Sequence, residues 1–299
     1  MAYPSIRSSI TSAVTDTDGS TIVCTHPTGL TVGDLMVLFV STFDPGSDGS
    51  ITTPSGWTLQ EKAEEGSAHE FAAYKKIALS GDVSAGSTTV TFTDGTVDKS
   101  GYAMFAIIGA AVGNEITVSE ADDIASGSPV STINVTTALT PAVPETLVLS
   151  AFQMVDFSLS AVLTASAFTL TPTSTMTERV DVGVRDLASD GFSLFIASAE
   201  YAGTTEITSR SVTFSESVDP GVSLSIILFI NAPVDATGTN ALLQVSPTQF
   251  TQAGVAGTTG TNVLLEPIPD MFSQSGRGET PTVWTPEVKT PATWAPEIK

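Results

Sequence analysis

Residues 35–40 read LMVLFV, apolar at every position, whereas residues 89–93 read TVTFT, with apolar and polar side chains in strict alternation. A strand with one face on a core and one in water alternates with period two, as TVTFT does and as its echo SVTFS at 211–215 does. A strand that is apolar throughout needs cover on both faces. LMVLFV, and IILFI at 226–230, are therefore expected to be central strands, covered by layers of the same chain or by another subunit.

The rest of the first 233 residues follows suit. Short runs such as STIVCT, EFAAYKKIAL, ETLVLSAFQMV and GFSLFIASAEY are rich in Val, Ile, Thr and Phe and end at Gly, Pro, Asp or Ser. No amphipathic helix longer than two turns is visible. Many short strands with regular turn signals predict an all-β, jelly-roll-like β-sandwich over residues 1–233. Its two halves echo each other: Val90-Thr91-Phe92 returns as Val212-Thr213-Phe214, GDLMVLFV as PETLVLSAF and GYAMFAII as GVSLSIIL.

After Pro233 the texture changes. Residues 237–254, TGTNALLQVSPTQFTQAG, recur at 259–276 as TGTNVLLEPIPDMFSQSG, with ten of eighteen positions identical at an offset of 22. A ten-residue unit is then written twice, TPTVWTPEVK and TPATWAPEIK, at 280–299. Each longer unit has only a Leu pair and one Phe (Phe250, Phe272) as apolar anchors. Two copies are too few for a self-supporting repeat stack, which needs about three. Residues 234–278 and 279–299 are therefore expected to form an extended, repeat-containing C-terminal arm, ordered by docking on a partner. Its anchors would be Phe250, Phe272, Trp284, Pro286, Trp294 and Pro296.

Composition narrows the chemistry. Charged residues make up 14% of the 299, and the formal net charge is −21. Such a surface repels nucleic acid and anionic membranes. No apolar run is long enough to span a bilayer, and the N-terminal residues lack the apolar core of a signal peptide. The single cysteine, Cys24, excludes an internal disulfide and reads as a buried, inert thiol. The two histidines, His26 and His69, are far apart in sequence, and no Gly-x-Ser-x-Gly elbow or phosphate-binding loop is present. No cofactor is expected.

Calcium is the one metal the acidic loops suggest, through Asp16 and Asp18 in DTDGS and Asp44 and Asp48 in DPGSDGS. A plain hairpin turn is the preferred reading of both stretches, and neither completes a twelve-residue calcium loop. The acidic groups Glu61, Glu64, Glu65 and Glu120, Asp122, Asp123 read as solvated loop charge. Trp57 reads either as a core tryptophan after a Pro-Ser-Gly turn or as a stacking platform for a glycan.

Three motifs carry a resemblance. Gly33-Asp34 precedes an apolar strand, Pro54-Ser55-Gly56-Trp57 follows, and then comes Tyr74-Lys75-Lys76-Ile77-Ala78, with a closing apolar strand near residue 230. In this pattern, and in the tryptophan-proline repeats of the arm, the chain resembles β-rich virion structural proteins of tailed bacteriophages, of the minor-tail or head-decoration type. The resemblance covers roughly residues 5–233. It implies a non-enzymatic structural protein of the virion, assembled in the host cytoplasm and held to capsid, neck or tail subunits by its C-terminal repeats. It also implies a homo-oligomer, with trimers frequent in such proteins. The alternatives are a glycan-binding, host-adsorbing module on a tail fibre, and a polysaccharide-degrading enzyme.

Overall fold

The computed structural model describes residues 3–44, 50–65, 69–93, 96–111, 113, 115–123, 130–156, 162–172, 175–185, 191–218 and 220–233. The expected C-terminal arm, with its repeats, lies outside the described residues. What is described is an all-β sandwich with one six-residue helix.

The first half supplies β1 (Ser5–Ile6), β2 (Thr11–Thr15), β3 (Thr21–Thr25), β4 (Leu35–Phe43), β5 (Thr58–Glu65), β6 (His69–Ile77), α1 (Ser80–Ala85), β7 (Ser87–Thr91) and β8 (Lys99–Ile108). The second supplies β9 (Ile116–Asp123), β10 (Val130–Val135), β11 (Thr146–Asp156), β12 (Ala165–Thr171), β13 (Thr177–Arg185), β14 (Gly191–Tyr201), β15 (Ser209–Val218) and β16 (Pro220–Ile230). All described strand pairs are antiparallel.

The strands form four layers. One inner sheet runs β8-β4-β6-β5, with β1 and β2 on the free side of β8; the other runs β9-β16-β11-β14-β13. They pack face to face through Leu35, Val37 and Phe39 of one and Leu147, Leu149 and Ala151 of the other. The alternate residues Met36, Leu38 and Val40 face a second core, closed by Ile22 and Cys24 of β3 and Val90 of β7. The outer face of the second sheet is closed by Ile133 of β10 and Val212 and Phe214 of β15, with Leu170 of β12 and Ile207 nearby. LMVLFV is apolar at every position because both of its faces are covered within the chain. β3, at an outer layer, alternates exposed and buried instead.

The echo between halves extends to the whole topology. Sheet order β8-β4-β6-β5 is repeated as β16-β11-β14-β13, and the outer pair β3-β7 as β10-β15. Registers agree residue by residue. Phe39 lies between Ala103 and Ala73, as Ala151 lies between Ile226 and Ile196. Both edge strands carry a bulge at the same place, between Leu59 and Glu61 in β5 and between Glu178 and Val180 in β13. The extra residue bends the strand and re-aims the side chains around it.

The described residues thus form two copies of one module packed through equivalent faces, the arrangement of an isologous dimer within a single polypeptide. At the seam the copies have diverged in size. Phe39 has Ala151 as its counterpart, while Ala73 and Ala103 have Ile196 and Ile226, all buried in the shared core. Alternating large and small residues lets the facing layers interdigitate at interior density. Phe39 also packs against Phe71 and Phe105, at ring separations of 6.0 and 6.1 Å, the second edge-on.

Glu61, Glu64 and Glu65 are on β5, and Glu120, Asp122 and Asp123 are on β9, so neither group belongs to a loop. Both strands are sheet edges. An edge strand has a partner on one side only, and charge there opposes pairing with other chains.

Candidate functional site

The three motifs of the resemblance each hold the fold. Gly33 has a φ of +93°, a conformation open to glycine, and turns the chain into β4. Asp34 then receives Arg7 Nε at 2.6 Å and Nη2 at 2.9 Å, a forked pair, and Thr31 N at 2.8 Å. Burial alone would raise the Asp34 pKa, but the hydrogen bonds and charge of Arg7 hold it below the usual carboxylate range. The site ties the N-terminal residues to the start of a central strand.

Pro54-Ser55-Gly56-Trp57 is a turn, closed by Trp57 N to Pro54 O at 3.1 Å, with Gly56 at φ +79°. It delivers Trp57 into the outer core of the first module, where it is 6% exposed. This corrects the glycan-platform reading: a ring packed among Met36, Tyr74 and Met104 has no face to offer a sugar.

Tyr74-Lys75-Lys76 alternates across β6. Tyr74 is buried in the outer core, and burial raises its pKa. Lys75 Nζ meets Glu115 Oε2 at 3.1 Å on the inner side, and Lys76 Nζ meets Asp82 Oδ1 at 2.5 Å. Asp82 also caps α1 by accepting Leu79 N at 2.9 Å, and its backbone oxygen lies 2.8 Å from His26 Nδ1. Glu115 accepts Gly113 N at 2.7 Å. Burial works against ionisation of Asp82 and Glu115, but hydrogen bonds and their lysines hold both pKa values below the usual range.

The remaining sequence candidates do not converge. Asp16 and Asp18 are exposed around the turn between β2 and β3, Asp44 is buried at the end of β4, and Asp48 is outside the described residues. Among the described residues, no three His, Cys, Asp or Glu side chains come together as metal ligands would. The Cys24 thiol is fully buried, which pushes its pKa up to about 12. His26 braces α1 and β7, whereas His69 is buried at the inner seam. The docking candidates Phe250, Phe272, Trp284, Pro286, Trp294 and Pro296 lie outside the described residues.

A cavity of about 440 Å³, which no sequence motif marks, lies at the end of the seam. Ser5 and Ile6 of β1 and Leu147 of β11 line one part of it, and Thr177, Arg179 and Ser198 another, with Pro4, Thr175 and Glu200 completing the wall. Arg179 is the extra residue of the β13 bulge, and its Nε donates to Ser198 Oγ at 2.7 Å. Compared with known proteins, the chain matches no family model, no curated protein and no solved structure.

Proposed function

We propose that the chain is a non-enzymatic structural protein of a bacteriophage particle, a two-module β-sandwich attached to capsid, neck or tail subunits through its C-terminal repeats. The observation that carries this reading is the pair of tandem duplications, at 237–276 and 280–299, following a domain of a different texture. Two tryptophans in short proline-rich units suit anchors that fill partner pockets, the kind of residue that dominates interface energies. Repetition adds avidity, because the second contact forms at the high effective concentration set by the first.

The fold supports the same reading through its motifs. Asp34, Trp57, Lys75 and Lys76 are each used to hold elements together. The alternative of a glycan-binding module drew on the jelly-roll-like pattern, on Trp57, which is buried, and on the Asp-rich loops.

The experiment is to delete residues 279–299 and measure incorporation into particles by quantitative mass spectrometry. The truncated chain should keep the far-ultraviolet dichroism and melting temperature of the full chain and lose most of its occupancy. Full occupancy with residues 279–299 missing would overturn the proposal.

A further inference from the structure

The internal symmetry gives the cavity a counterpart. Leu35, paired with Ile107 and Ile77, corresponds to Leu147, paired with Ile230 and Glu200. Ile6 pairs with Ile107 as Ile116 pairs with Ile230, so Ser5 corresponds to Glu115. Thr58 pairs with Lys75 as Thr177 pairs with Ser198, so Ser198 corresponds to Lys75. The cavity, between β1 and the second sheet, therefore stands at the place equivalent to the Lys75–Glu115 ion pair, which joins β6 to the residue before β9. Both charged side chains are replaced by serine.

A cation is nonetheless present, carried one strand over. The bulge residue of β5, Gln60, bonds to its own strand through Thr58 O and Leu59 O. Its counterpart Arg179 reaches across to Ser198 Oγ. That bond uses Nε, and the two terminal nitrogens have no partner among the described residues.

We propose that this cavity is a binding site for a small hydroxylated carboxylate, of the class of a hexuronate. The ligand carboxylate takes the place that Glu115 fills at the equivalent position and is held by the terminal nitrogens of Arg179, a planar donor suited to carboxylates. Its hydroxyls meet Ser5, Thr175, Thr177 and Ser198, side chains that both donate and accept. Glu200 in the wall disfavours ligands with several negative charges. The volume is within the roughly 300–1,000 Å³ of small-molecule sites. The site is independent of the particle role proposed above.

Titration of the full chain with galacturonate, galactose and acetate, followed by calorimetry, separates the contributions. Galacturonate should bind saturably, with about tenfold higher affinity than galactose or acetate, because each of those lacks one half of the recognised chemistry. Arg179→Gln should cost galacturonate about tenfold or more. The double variant Ser5→Glu, Ser198→Lys rebuilds the equivalent of the Lys75–Glu115 ion pair and should abolish binding with the melting temperature preserved. If that variant fails to fold, Arg179→Gln remains decisive. The proposal is overturned by the absence of saturable galacturonate binding, by galactose or acetate binding as tightly, by undiminished affinity in Arg179→Gln, or by binding to the folded double variant.

Discussion

Replacing His69 by phenylalanine should remove an acid-sensitive step in stability. His69 is 5% exposed, stacks on Phe43 at 4.5 Å between ring centroids, and has no hydrogen-bond partner at Nδ1. Burial lowers its pKa from 6.5 to about 4. The lowered value fixes the sign. The unfolded chain takes up a proton near pH 6.5 and the folded chain resists until about pH 4, so stability is intact above the first value and falls between the two. At about 1.4 kcal/mol per pK unit, the loss from pH 7.5 to pH 4.5 is about 2–3 kcal/mol.

Phenylalanine is the replacement the fold itself supplies. His69 pairs with Phe43 as Phe192 pairs with Val155, so Phe192 is the His69 of the second module. Phe43, Val155 and Phe192 already form one cluster. Urea unfolding followed by far-ultraviolet dichroism at pH 7.5, 6.5, 5.5 and 4.5 gives both stability curves. The acid limbs of Asp34, Asp82 and Glu115, whose lowered pKa values place their losses at lower pH, are common to both proteins and cancel in the difference. Glu70, next in sequence, belongs to the opposite face of β6 and cancels likewise. A His69→Phe curve parallel to that of the parent from pH 7.5 to pH 4.5 would refute the reasoning.

Trp57→Ala should cost about 3–5 kcal/mol in chemical denaturation, the range for emptying a large aromatic site in a core; a change under about 1 kcal/mol would place the ring outside that core. Gly33→Ala should cost about 1 kcal/mol from backbone conformation alone, since no heavy atom lies within 4 Å of the added Cβ and the φ of +93° is the only strain. The equivalent turn before β11 holds Glu145 at a φ of 59°. Glu145→Gly should therefore leave the melting temperature within a few degrees of the parent, as relief of strain is offset by a more flexible unfolded chain.

Much of the architecture was legible because burial leaves a local trace. TVTFT alternates and LMVLFV does not, and the structure assigns one to an outer layer and the other to an inner sheet. Gly33 and Gly56 marked real turns, and the repeated Val-Thr-Phe named equivalent strands. Legibility stopped at contacts made across the chain. Lys75 and Glu115 are 40 residues apart and form one ion pair. Glu61 and Glu64 resembled loop charge because composition cannot distinguish a loop from an edge strand. Ser5, Arg179 and Ser198 belong to no motif, and nothing in their neighbours in sequence marks them as the lining of a cavity.

Which faces of which strands must be buried, where the chain must turn, and that two halves share a pattern can all be read along the chain, because alternation and glycine conformation are set by immediate neighbours. What covers those faces was set by the packing of the folded chain. LMVLFV could have been buried by another subunit, but it is buried by the second copy of its own module and by β3 and β7. The ion pairs and the cavity were settled at the same level, because they depend on which residues two separately encoded sheets bring opposite each other, and register across a seam is written in neither strand alone.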